Sequence, residues 1–180
     1  MRAEFRHHLP DVPLVAAFAE QLPLRDASTD AVVCAQAFHW FDAERSGAEF
    51  SRVLRPGGGV GLIWNLRDES VPWVAKLTTL LERHRGTAPR ARDRAWRIPV
   101  EASGRFQRFR EQTFAHGHSV TVEQVVDRVL SVSFIAALPP PARDAVGQQV
   151  RDLLEEDPST LGRSTVEIPY TTEAYWTFKS

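Results

Sequence analysis

Between Asp30 and Asn65 the hydrophobic and polar positions fall into three blocks. Residues 31–35 (AVVCA) are short and nearly all apolar with two valines, the pattern of a strand buried on both faces. Polar and aromatic residues follow, and Asp42 then offers a side-chain oxygen to the free amides of a helix start. Ala43, Gly47, Phe50, Val53 and Leu54 recur at helical spacing, so a helix is predicted there, ended by Pro56 and Gly57, Gly58 and Gly59. Residues 60–64 (VGLIW) form a second strand. The unit has the length that a right-handed crossover between parallel strands requires.

The same patterning extends outward. Residues 2–9 read as the last turns of a helix stopped at Pro10, and residues 12–18 (VPLVAAF) as a strand with proline near its start. Trp73, Leu77, Leu80 and Leu81 mark a helix within residues 72–85, and residues 111–120 a strand. Thr121 and Gln124 make a capping box for a helix bearing Val122, Val125, Val126, Val129 and Leu130. Pro139 and the prolines after it precede a helix carrying Ala142, Val146, Val150, Leu153 and Leu154. The chain closes with strand-like residues 165–168 and an aromatic strand around Tyr175, Trp176 and Phe178. Residues 83–97 hold six arginines with His84 and Trp96 and read as a solvated loop, the alternative being a lid over an anionic substrate.

Strands and helices that alternate in this way make an α/β fold with a largely parallel sheet. Ligands of such sheets sit beyond the carboxyl ends of the strands, so residues 36–40 and 65–68 are expected to line one crevice. Gly57, Gly58 and Gly59 lie at the opposite end, after a helix and before a strand. A dinucleotide fingerprint must follow a strand and open a helix, so they are read as a positive-φ helix stop rather than a nicotinamide site.

A chain of 180 residues with 43% hydrophobic residues can bury one sizeable core. Its formal net charge of -1 argues against a whole-surface nucleic-acid binder. The single cysteine, Cys34, lies mid-strand, where it packs as a small hydrophobe. No apolar run approaches the ~20 residues that span a bilayer, and the expectation is a cytoplasmic protein without membrane partners. His116 and His118 alternate onto one face of a strand, but no third ligand stands at metal-site spacing, so no metal is assigned.

The segments AEQLPLRDASTDAVVCAQAFHWFD, EFSRVLRPGGG and WNLRDE, in this order and spacing, resemble the class I S-adenosylmethionine-dependent methyltransferases, in particular the small-molecule branch of trans-aconitate and quinone methyltransferases. The resemblance implies a Rossmann-like sheet of order 3-2-1-4-5-7-6, with an antiparallel C-terminal strand and a helical insertion at about residues 121–156. Residues 12–18, 31–35 and 60–64 then resemble strands three, four and five. Strands one and two and the glycine-rich loop that cradles the cofactor have no counterpart. The expectation is one truncated domain over residues 1–180, a fragment or a chain with a late start, whose exposed sheet edge invites homodimerisation.

The resemblance implies S-adenosyl-L-methionine as cofactor and methyl transfer to a small molecule. It places Phe18, Ala19 and Glu20 at the adenine and Gln36 and Ala37 along the methionine portion. The position of Phe18 is often an aspartate that accepts the adenine amine, which phenylalanine cannot do. Trp40, Asn65, Arg67 and Asp68 fall where the substrate binds. Direct displacement at a sulfonium needs alignment and removal of one proton, and His39, after the first strand, is the candidate base. Two rivals are a non-catalytic relative that binds a partner through its open edge and an α/β enzyme with another cofactor.

Overall fold

The computed structural model describes residues 2–180, with side chains from residue 3 onward. Four strands form one sheet in the order β1-β2-β4-β3: β1 is Thr29–Ala35, β2 Leu54–Arg67, β3 Arg110–Thr121 and β4 Thr165–Phe178. The helices are α1 (Arg2–His8), α2 (Ala43–Val53), α3 (Pro72–Glu82), α4 (Arg97–Ala102), α5 (Val122–Leu130), α6 (Ser133–Ala136) and α7 (Pro140–Glu156). Among the described residues no helix is long and apolar enough to cross a membrane.

Register follows from close approaches. Gly58 lies against Asp30 and Gly61 against Val33, so β1 and β2 run in the same direction. Lys179 donates its amide to Gly58 O at 2.8 Å, and Asp68 donates to Pro169 O at 2.9 Å, so β4 runs antiparallel to β2. Gln107 donates to Phe178 O at 2.9 Å, and Gly117 faces Glu167, which makes β3 antiparallel to β4. The sheet is the expected Rossmann-like arrangement, a parallel pair joined by a helix with an antiparallel C-terminal strand and a helical insertion, α5 to α7, between β3 and β4.

Three local expectations need correction. Residues 12–18 are not a strand: they pair with no strand of the sheet, and Val12, Val15 and Phe18 are exposed. An apolar run becomes a strand only where a neighbour supplies its hydrogen bonds. β1, expected to be buried on both faces, is an edge strand that turns Ala31, Val33 and Ala35 to solvent and leaves Val32 and Cys34 half-buried. Helix α2 ends at Val53, before the glycines, because Leu54 is already extended and Pro56 disfavours helical backbone at Arg55. Gly57, at φ 74°, instead bends the chain within β2.

The chain divides into two compact units. One comprises the chain through Leu62, Ala91–Arg110 and Tyr175–Ser180. Its helix α2 starts as predicted, with Asp42 Oδ1 accepting from the Arg45 amide at 3.0 Å. Glu49 and Arg52 on α2 tie down the irregular segment before β1: Glu49 accepts from the Leu22 amide at 2.7 Å, and Arg52 donates to the carbonyls of Leu22 and Leu24. Lys179 Nζ donates to the carbonyls of Ser51 and Leu54 at 2.6 and 2.9 Å, placing a cation at the carboxyl end of α2, where the helix dipole favours one. The centre of this unit is aromatic. Trp96 meets Phe38, Phe109 and Tyr175 edge-on, with centroids 5.8, 5.2 and 5.3 Å away.

The other unit comprises Ile63–Arg90 and Glu111–Ala174. Its core joins Trp73, Val74, Leu77, Leu80 and Leu81 of α3 to Val125, Val126 and Val129 of α5 and to Val146, Val150 and Leu154 of α7. The predicted capping box is complete: Thr121 Oγ1 accepts from the Gln124 amide at 3.2 Å, and Gln124 Oε1 accepts from the Thr121 amide at 2.9 Å. Helix α7 ends at Asp157, whose carboxylate accepts from the Ser159 hydroxyl at 2.7 Å, the Ser159 amide at 3.1 Å and Lys76 Nζ at 3.1 Å. The Ser159 bonds, aided by Lys76, hold the Asp157 carboxyl below its ordinary pKa. A depressed folded-state value stabilises the fold above the unfolded value of about 4 and loses that stabilisation as pH falls through the folded value. Asp157→Asn should therefore lose less stability than the parent chain between pH 6 and pH 3, measured by urea unfolding at each pH. Equal losses would remove Asp157 from the acid response.

Candidate functional site

The sequence-predicted residues fall into two groups, one in each compact unit. In the first, Phe18 to Gln21 form a turn in which the Gln21 amide donates to Phe18 O at 3.1 Å. Ala19 and Glu20 occupy its corners, and Phe18 is 79% exposed. Glu20 is anchored locally, its Oε1 accepting from the Asp42 amide at 3.0 Å. This ties the turn to the start of α2.

The segment after β1 is distinctive. Gln36 has φ 55°, a left-handed conformation that a side chain with a Cβ adopts at a cost of about 1 kcal/mol or more. Such strain at the carboxyl end of a strand concentrates at ligand sites. Ala37 leads into a single 3-10 turn, Phe38–Trp40, that buries Phe38 against Phe41 and Phe50. Phe38 thereby fixes its two neighbours. His39 is half-buried with its ring 5.6 Å from that of Trp40, and Trp40 is half-exposed. Cys34, two residues before Gln36 and half-buried, has its thiol pushed up to about 11 by burial, so it is protonated at neutral pH and is not a nucleophile there.

In the second unit, Asn65 Oδ1 accepts from the Thr172 hydroxyl at 2.7 Å. Arg67 hydrogen-bonds Tyr170; burial lowers its guanidinium below the ordinary value, Tyr170 and Glu69 oppose that shift, and Arg85 adds to it. It stays protonated at neutral pH. Asp68 holds its own loop, with Oδ1 accepting from the Ser70 amide at 2.9 Å. Its carboxylate thus has the turn-forming role that aspartate often takes.

Sequence reasoning missed the partners that these residues meet. Tyr170 of β4 stacks on His116 of β3 at 5.6 Å with an interplanar angle of 19°, and its hydroxyl accepts from Arg128 of α5 at 3.2 Å. Arg128 also lies 2.6 Å from His118 Nδ1. The alternating histidines were the available signal, but His118 meets a guanidinium, which a metal-ligand set would not include, and His116 meets the Tyr170 ring. The arginine-rich segment, residues 83–97, is a solvated loop only in part. Arg85 and Arg90 pair with Glu82, Arg97 with Glu101, and Trp96 lies in the core. These carboxylate pairs tie the segment down, unlike a lid.

A parallel strand-helix-strand pair with an antiparallel strand beside it is a Rossmann-like arrangement. Residues 1–61 match the methyltransferase-domain family. The chain is 35% identical over 170 residues to an uncharacterized methyltransferase-like protein of Schizosaccharomyces pombe, covering 94% of this chain and 66% of that protein. It is also 35% identical over 167 residues to an uncharacterized methyltransferase of Mycobacterium tuberculosis, covering 93% and 65%. The chain thus spans just under two thirds of the length of these relatives. In fold it is similar to a methyltransferase candidate from an antibiotic biosynthesis pathway of Anabaena variabilis, with TM-score 0.61, 17% identity and coverage of 89% and 71%. It is similar also to the YcgJ protein of Bacillus subtilis, with TM-score 0.56, 15% identity and coverage of 98% and 76%. The chain is thus similar to methyltransferases, over residues 1–61 to the family model and over most of its length to these relatives. None of these relatives carries a name that singles out the trans-aconitate or quinone branch.

Proposed function

We propose that the chain takes part in transferring a methyl group from S-adenosyl-L-methionine to a small-molecule acceptor. The observation that carries this reading is the strained Gln36 at the carboxyl end of β1, within the family's fold and directly before the His39 and Trp40 turn. The described residues suit the cofactor in two places. The turn at Phe18 uses the Gln21 amide for its own bond, which leaves the Ala19 amide outside that bond for an adenine ring. Gln36 and Ala37 present backbone along the methionine portion. The bound cofactor supplies an electrophilic methyl on a sulfonium. His39 accepts the acceptor's proton and Trp40 shields it from water.

The test is calorimetric titration of the folded chain with S-adenosylhomocysteine. Micromolar binding, worth about 8 kcal/mol, supports the reading, and His39→Ala should then lower turnover about 100-fold or more while leaving that binding unchanged. No binding by a folded chain overturns it for these 180 residues. One observation favours a second reading, self-association through the sheet edge: β1 is an edge strand with Val33 64% exposed. Its mass in solution decides, a dimer supporting this reading and a monomer at high concentration opposing it.

A further inference from the structure

Arginine 128 is held in an unusual way for a surface guanidinium. Most arginines of this chain with a fixed side chain rest on a carboxylate, as Arg52 does on Glu49 and Arg151 on Glu123. Arg128 rests on two neutral groups instead. One guanidinium nitrogen donates to the Tyr170 hydroxyl at 3.2 Å, and the other lies 2.6 Å from His118 Nδ1. A guanidinium can only donate, so His118 Nδ1 accepts and the imidazole carries its proton on Nε2. Among the described residues no carboxylate is in ion-pair contact with Arg128; its neighbour Asp127 lies within the electrostatic reach of Arg151. The guanidinium is therefore oriented at both ends without a salt bridge, Asp127 is the one carboxylate that lines the adjoining space, and further N–H donors of the fork are left over.

Two more features surround it. Tyr170 also hydrogen-bonds Arg67, so a second guanidinium stands behind the first. Beside Arg128 lies a pocket of about 250 Å³ lined by His118, Ser119, Val120, Gln124, Asp127 and Arg128. That volume suits one small acidic group with a short carbon frame. The donors around it, guanidinium, hydroxyl and the carboxamide of Gln124, match planar or tetrahedral oxyanions, which a guanidinium fork grips with two bonds.

We propose that Arg128, set by Tyr170 and His118, is the binding residue of an oxyanion site for a small organic acid, a carboxylate or a phosphate ester. The site itself lies wholly within the unit that contains β3, α5 and the first part of β4.

The test is a titration of the intact chain, without cofactor, followed through the imidazole proton resonances of His116 and His118. Succinate, inorganic phosphate and, as a cationic control, choline are the probes. The expected result is saturable movement of the His118 resonances with succinate or phosphate, the better ligand identifying the acidic group. Arg128→Gln, an exposed change, should weaken that binding at least tenfold with the circular dichroism spectrum unchanged. Arg128→Lys, which keeps the charge but loses the fork, should fall between. No saturable response to either anion, an equal response to choline, or undiminished binding in Arg128→Gln overturns the site. Binding of S-adenosylhomocysteine is measured separately, so loss of the oxyanion site and loss of the methyltransferase reading give different patterns.

Discussion

Replacing Trp96 by alanine should cost this protein about 3–5 kcal/mol, lowering its urea midpoint by roughly 2 M at the usual slope for a small domain. The indole is 5% exposed and touches three further rings edge-on. Those geometries place the positive ring edge of one partner on the negative face of another, adding to the burial of a large apolar surface. Phe38, Phe109 and Tyr175 come from distant parts of the sequence, so no single neighbour can close the cavity left behind. Trp40→Ala is the control. Trp40 is 51% exposed, and its loss should change stability by less than about 1 kcal/mol. Two tryptophans with equal costs would mean that Trp96 is not the packing centre of its unit.

The second large effect is expected for Val126→Asp in α5. Val126 is 1% exposed in the core shared with α3 and α7, and its γ-carbon lies 3.5 Å from where a Cβ would stand on Gly147. Helix α7 approaches α5 closely there, with no room for a water to follow a carboxylate inward. Burial without a partner disfavours the charged form, so the new carboxyl's folded pKa rises above its unfolded value of about 3.9. The folded state then holds more protons than the unfolded state above that value, and stability falls as pH rises. The variant should lose several kcal/mol at pH 7 and distinctly less at pH 4, whereas Val126→Ala should lose about 2 kcal/mol at both. Urea unfolding at the two pH values checks this, and a pH-independent penalty for the aspartate would place position 126 outside the core.

The sequence by itself determined the features whose causes are local. Asp42 and the Thr121 and Gln124 pair announced their helix starts because a cap satisfies amides within three residues of itself. The apolar spacing of α2, α3, α5 and α7 marked their buried faces, and the order of strand, helix and strand around residues 30–65 made the parallel pair legible. Of the candidate site, the segment from Gln36 to Trp40 was readable as the turn that leaves a strand's carboxyl end. Its left-handed Gln36 was not, since no turn residue such as glycine or asparagine marks it.

Tertiary structure decided the rest. Whether residues 12–18 become a strand depends on a neighbour to accept their hydrogen bonds, and VPLVAAF carries no record of whether one is present. Whether Val33 is buried depends on the sheet's edge, and whether Trp96 is solvated or central depends on where Phe109 and Tyr175 return. The oxyanion-shaped setting of Arg128 joins residues from β3, α5 and β4 that stand up to 52 positions apart, from His118 to Tyr170. Local chemistry acts over a few residues and is written in sequence order. Burial, pairing and charge compensation are properties of neighbours in space, and only the folded chain assigns them.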